Sequence, residues 1–193
     1  MVPVTNAARI ALVTCSDLPQ GEPEDRALVV ALAERKAEAT IVVWDDPEVD
    51  WTACGPVEMR SVWDYSLRRE EFLAWAKNVP TLRNPVNVIA WNSDKHYIDA
   101  LAKAGMPVVE TQWLEPERKF EKRDLHNRFP AREDFVVKPA VSAGSADTGR
   151  YTATDADSRR LAIKHAERRL ASGRAVMVQR YMPEIDTYGE SAL

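Results

Sequence analysis

Two lysines and a run of small residues are the groups in this sequence best placed to hold an anion. In "DFVVKPAVSAGSADTGR", Asp134 to Arg150, an apolar strand of Phe135, Val136 and Val137 ends on Lys138 and gives way to alanines, serines and two glycines. Gly144 and Gly149 allow backbone N–H groups to turn toward one point, and Ser142, Ser145 and Thr148 add hydroxyls. The spacing is neither that of a P-loop nor of a dinucleotide fingerprint, because no G-K-[ST] and no G-x-G-x-x-G occurs. In "WNSDKHYIDAL", Lys95 is predicted in the first turn of a helix, where a cation opposes the dipole and calls for an anionic partner such as phosphate. "VMVQRYMP" is an apolar strand broken at Pro183, and backbone groups released from pairing at such an exit can read an adenine edge while Tyr181 and Met182 contact the ring. Glu190, a few residues on, can accept bonds from ribose hydroxyls. Each feature also has a plain explanation: a lysine snorkelling from a strand end, an exposed first-turn lysine, a core strand. The combination predicts a triphosphate reached by lysine and covered by the small-residue loop.

The elements that must position these residues follow from periodicity. "ARIALVTC" reads as a strand, Asp25 as the cap of a helix through "DRALVVALAERKA", and "EATIVVWDD" as the next strand, a spacing that favours a parallel βαβ unit. "EMRSVWDY" is a third strand candidate, and Leu67, Phe72, Leu73 and Trp75 mark a helical face after it. A second unit is expected from about Trp91. In it Ser93 caps the helix bearing Lys95, "MPVVETQWL" holds a short strand, and "EPERKFEKRDLHNRFPARE" is surface connection with some helix. Beyond the opening stretch, Asp155 or Asp157 caps "SRRLAIKHAERRLA", which Gly173 ends.

Composition narrows the class. A hydrophobic share of 45% against 29% charged residues supports a real core, and 193 residues fit one large domain or two small ones. A net charge of −4 argues against a nucleic-acid partner. Cys15 and Cys54 have no metal or disulfide spacing, which suits a reducing cytoplasm, and no apolar run is long enough to span a membrane. His96, His126 and His165 lack partners at metal-ligand spacing.

The order of "DK", "VVKP" with its small-residue loop, "VQRYM" and then "GE" resembles the ATP-grasp superfamily. "WDYSLRREEFLAW", "NPVNVIAWNSDKHYIDAL" and "PVVETQWL" are similar to the branch grouped with glutathione synthetase and ribosomal-protein-glutamate ligase that includes the cycloserine-biosynthesis ligase. The resemblance implies an α/β fold: a Rossmann-like, substrate-side domain over 1–90, then an α+β nucleotide-binding region over 91–193, with the family's C-terminal core subdomain missing. It implies that Lys95 and Lys138 bind the phosphates of ATP and that Ser142, Gly144 and Ser145 belong to the flexible covering loop. Gln179, Arg180, Tyr181 and Met182 match the adenine-reading hinge, and Glu190 the ribose-binding acid. Mg²⁺ is the implied metal, its ligands expected beyond the end of this chain. The implied chemistry is carboxylate–amine ligation through an acyl phosphate, with small-molecule acid and amine as partners. For these 193 residues alone the expectation is nucleotide binding with little turnover, or else a non-catalytic association module, with homo-oligomerisation left open. No catalytic residue is assigned. Trp63, Asp64, Tyr65, Arg68 and Arg69 form a second candidate group, able to hold a carboxylate in a guanidinium fork or simply to pack a helix start.

Overall fold

The β-branched run at the start forms β1, Arg9–Thr14, in the computed structural model, which describes residues 9–189. β1 is the middle of a three-stranded parallel sheet, flanked by β2 (Glu38–Val43) and β3 (Val57–Ser61). A central parallel strand is covered on both faces, which is why "ALV" can be apolar without alternation; Leu12 and Val13 are fully buried. The chain divides into two compact units, Met1–Ser93 and Asp94–Leu193.

In the first unit, α1 (Pro23–Glu34) crosses from β1 to β2. Asp25 is not its cap, as expected, but its third residue: Pro23 takes the first turn, and Glu22 and Asp25 cap each other reciprocally. The third strand ends at Ser61, short of the predicted Tyr65, and Trp63–Ser66 makes a 3₁₀ turn. There the Trp44 indole donates to both Asp64 oxygens, at 3.0 and 3.1 Å, and holds the segment off the sheet. Leu67 precedes α2 (Arg69–Lys77) and stays exposed, so it does not join the predicted face. Phe72 does, packing on Trp44 and Trp75 at 5.7 and 5.4 Å between ring centroids. A helix that periodicity did not suggest, α3 (Val86–Asn92), starts on Pro85.

The second unit is an antiparallel sheet in the order β4-β7-β5-β6, with β4 Thr111–Leu114, β5 Asp134–Pro139, β6 Gly149–Thr152 and β7 Val176–Arg180. Its helices are α4 (Tyr97–Lys103), α5 (Lys122–Arg128), α6 (Ala156–Ala171) and α7 (Glu184–Tyr188). One sheet face carries Leu114, Phe135, Val137, Val176 and Val178 against Leu125, Phe129, Ala162 and Ala166. The charged stretch read as surface connection therefore contributes α5 to the core through Leu125, because its apolar residues are few but aligned. Asp155 caps α6 as predicted, accepting from the Asp157 and Ser158 N–H groups. Ser93 does not cap the Lys95 helix. It closes α3, and Asp94 instead accepts the His96 N–H at 3.1 Å, so Lys95 lies in a turn ahead of α4 and not in a helical first turn.

Candidate nucleotide site

Strand alternation sorts the second sheet into two faces. Phe135, Val137, Val176 and Val178 face the helices, which leaves Val136, Lys138, Met177 and Gln179 on the other side. Cross-strand register extends that side: Lys138 opposes Met177, Met177 opposes Trp113, Val136 opposes Gln179, and Gln179 opposes Thr111. The Gln179 side-chain amide is fixed by a bond to the Thr111 hydroxyl at 2.8 Å. One lysine and the start of the predicted hinge thus share a face through the period of two alone.

Lys95 arrives from outside the sheet. Its backbone N–H donates to the Ala140 carbonyl at 2.9 Å, docking the turn against the end of β5. Its ammonium donates to the Ser142 carbonyl at 2.8 Å and to the Ser142 hydroxyl at 2.9 Å. Burial pulls the Lys95 amine below the usual lysine range, the positive charge of Lys138 pulls it further, and Asp94 offsets this only in part. Two ammonium groups from distant parts of the chain are close enough to repel. A protein holds such a pair at an electrostatic cost, and a polyanion relieves it.

The loop after β5 begins with buried Ser142 and becomes exposed at Gly144. Gly144 and Ser145 follow each other in the left-handed region, at φ +55° and +58°. Serine costs about 1–2 kcal/mol there, so the conformation is held by the turns that Ala146 and Thr148 close onto Ala143 and Ser145. Farther along, Asp147 pairs with Arg169 of α6 at 2.5 Å.

At the exit of β7, pairing with β4 stops at Gln179, while the Tyr181 N–H still reaches the Asp134 carbonyl at 2.8 Å. The Met182 carbonyl accepts from Ile185 at 3.1 Å, opening α7. The Tyr181 ring lies under the Arg150 guanidinium, 3.6 Å from its carbon, and its hydroxyl donates to Asp186. Arg150 also bonds Asp134 and Asp186, and Arg180 pairs with Glu133 at 3.4 Å. A cavity of about 290 Å³ lies among Asp134, Arg150, Arg180, Tyr181 and Pro183. Arg150 was not singled out from the sequence; its place opposite Val136, beside Asp134 on the paired strand, was the available signal. Glu190 lies outside the described residues.

The second candidate group, in the first unit, is engaged internally. Arg68 bonds Asp45 at 2.5 Å and Glu71 at 2.8 Å and stands over the Trp44 ring, while Arg69 bonds Ser93 and the Ala90 carbonyl. Neither guanidinium presents an open fork. A cavity of about 240 Å³ nearby is lined by Met59, Arg60, Trp63, Tyr65 and Ile89 among others, and Arg60 is tied to buried Asp25 at 2.9 Å.

Comparison with known proteins gives the fold its relatives. Residues 10–87 match the family described as D-cycloserine synthetase DcsG, N-terminal domain. The cycloserine biosynthesis protein DcsG of Streptomyces lavendulae is 34% identical over 160 residues, covering 80% of this chain and 52% of that protein. The crystal structure of D-cycloserine synthetase DcsG superposes with a TM-score of 0.78 at 31% identity, over 94% of this chain and 62% of that one. The chain is homologous to DcsG, and ATP-grasp ligases are among its structural neighbours. A RimK domain ATP-grasp protein from Sphaerobacter thermophilus shares the fold at a TM-score of 0.66 and 21% identity, covering 91% of this chain and 64% of its own. D-alanine–D-alanine ligase from Bacillus anthracis, solved with ATP, does so at 0.60 and 14%, covering 92% and 58%. The chain therefore spans between half and two thirds of these ATP-grasp relatives. Among the described residues no group of three or more His, Cys, Asp or Glu side chains converges to hold a metal ion. Among the same residues, no helix is long and apolar enough to cross a membrane.

Proposed function

We propose that the unit from Asp94 onward binds ATP, as part of an ATP-grasp enzyme that joins a small-molecule carboxylate to an amine. The reading rests on one observation above the others: the Lys95 turn docks on the end of β5 through Ala140 and Ser142, next to Lys138 in sequence, and burial with the Lys138 charge lowers the proton affinity of the Lys95 amine. In this reading Lys95 and Lys138 take the phosphates and the loop with Ser142, Gly144 and Ser145 closes over them. The backbone from Gln179 through Arg180 and Tyr181 to Met182 lies along the base. Homology to DcsG and to ATP-grasp ligases supports the ligase class. In the reaction proposed, the substrate carboxylate attacks the γ-phosphorus as the bond to ADP breaks. The amine then attacks the acyl carbon and expels phosphate. The described residues contribute binding and orientation.

The test is a calorimetric titration with ATP and with AMP at fixed salt. Lys95→Ala and Lys138→Ala are each expected to weaken ATP binding at least about tenfold, near 1.4 kcal/mol, with little change for AMP. Equal ATP affinity in wild type and both variants would remove the nucleotide reading.

A further inference from the structure

The turn that carries Lys95 is fastened by the next residue. The His96 ring is caught between two carboxylates, with Nδ1 2.6 Å from Asp94 Oδ1 and Nε2 3.1 Å from Glu115 Oε1. It stacks on Trp113 at 4.0 Å between centroids, and the Trp113 indole donates to Asp99 of α4 at 2.9 Å. Trp113 sits opposite Met177, which opposes Lys138, so this cluster adjoins the lysine face of the sheet. A neutral imidazole has a single N–H and can satisfy only one carboxylate, turning a lone pair toward the other. Two carboxylates at hydrogen-bond distance from both ring nitrogens thus select the imidazolium.

We propose that His96 is a positioning residue for Lys95: as an imidazolium bridging Asp94 and Glu115 it fixes the turn that aims the Lys95 ammonium, so that anion affinity depends on its protonation. The proposal rests on the nucleotide reading of Lys95 given above. Asp94 is joined to the backbone N–H of His96 as well as to its ring, so one carboxylate shapes both the turn and the clamp. Glu115, just past β4, ties that turn to the sheet. The groups facing the ring are Asp94 on its own turn, Glu115 beyond β4, Trp113 on β4 with Asp99 behind it, and the adjoining Lys95 with Lys138 on β5. Burial alone would lower the imidazole's proton affinity, but the hydrogen bonds and charges of Asp94 and Glu115 outweigh it and carry the pKa above the ordinary 6.5. With the folded value raised, the clamp is complete below about pH 6.5 and is lost as pH climbs through the folded value. One carboxylate then loses its donor, and the turn keeps one fewer tie to the sheet beside the Lys95 N–H bond to Ala140.

The experiment pairs ATP titrations from about pH 6 to 9 with NMR titration of the His96 ring, for wild type, His96→Gln, Glu115→Gln and Lys95→Ala. Wild type is expected to bind ATP about tenfold more tightly than His96→Gln at the acid end, the size of an ordinary coupling. That ratio should fall toward one as the His96 resonance titrates, and Glu115→Gln should move that titration to lower pH. The protonation of ATP itself is common to every profile and cancels in the ratio. If Lys95→Ala weakens binding while His96→Gln matches wild type at every pH, the positioning role is overturned and the nucleotide reading stands. A loss in His96→Gln that is constant with pH also overturns it, since packing alone would produce that. Unchanged ATP affinity in Lys95→Ala removes the phosphate role of Lys95 and this proposal with it. Should His96→Gln fail to fold, the wild-type ring decides: titration at or below 6.5, unmoved by Glu115→Gln, refutes the clamp.

Discussion

Arg60 and Arg68 in the first unit and Lys95 in the second are held in different ways. In the parallel unit Arg60 is neutralised on buried Asp25, and Arg68 on Asp45, Asp64 and Glu71. In the antiparallel unit Lys95 is brought inward against a hydroxyl and a carbonyl and toward another lysine. The first arrangement stabilises a fold and offers little to a ligand. The second costs the fold something that an anion would relieve, which is what the proposed reading of the second unit uses.

The contrast breaks most visibly at Asp25. Removing it by Asp25→Ala leaves Arg60 and Ser61 without their buried acceptor, and about 3–5 kcal/mol of stability should go, read from urea unfolding at neutral pH. Burial favours the neutral carboxyl, but bonds from Ser61, Arg60 and the Glu22 backbone outweigh it and hold Asp25 below the usual carboxylate range. Its contribution is therefore present above about pH 3.9 and lost as pH falls through the lower folded value, and Asp25→Ala should lose that acid step. A smaller and opposite effect is expected for Lys95→Met. The folded state disfavours this charge, so the unfolding midpoint should hold or rise while ATP affinity falls; a large drop in stability would make Lys95 a structural group like Arg68. Gly144→Ala should do least. A Cβ there meets nothing within 4 Å, so only the left-handed φ is penalised, by about 1 kcal/mol, measurable in the same urea series.

Local signals in the sequence carried the elements and not their junctions. β1, α6 and the strand ending on Lys138 were legible because patterning and caps lie within a few residues of one another. Asp25, Ser93 and Lys95 were each placed in the right neighbourhood and given the wrong position. Their roles depend on Pro23 opening α1 and on a helix at Val86–Asn92 that ends at Ser93. The two lysines could be nominated because each breaks an expectation for its own segment. The His96 clamp could not, since Trp113 and Glu115 reach it across the fold; "DKH" offered only the Asp94 half. Arg68 and Arg69, for which the sequence left a fork and a packed helix start both open, show the reverse limit. A sequence shows that a guanidinium is present, but its acceptors, Asp45 and Ser93 among them, come from distant segments.

The ion pair between Asp147 and Arg169 decides how the small-residue segment can travel. One end of the segment is paired with α6 and the other is bonded through Ser142 to the Lys95 ammonium, which leaves a short arm from Ala143 to Ala146 between the two contacts. If the segment closes over ATP as proposed, the movement is a swing of a few residues about two posts, with a speed set by local torsions and by the salt that loosens one mooring.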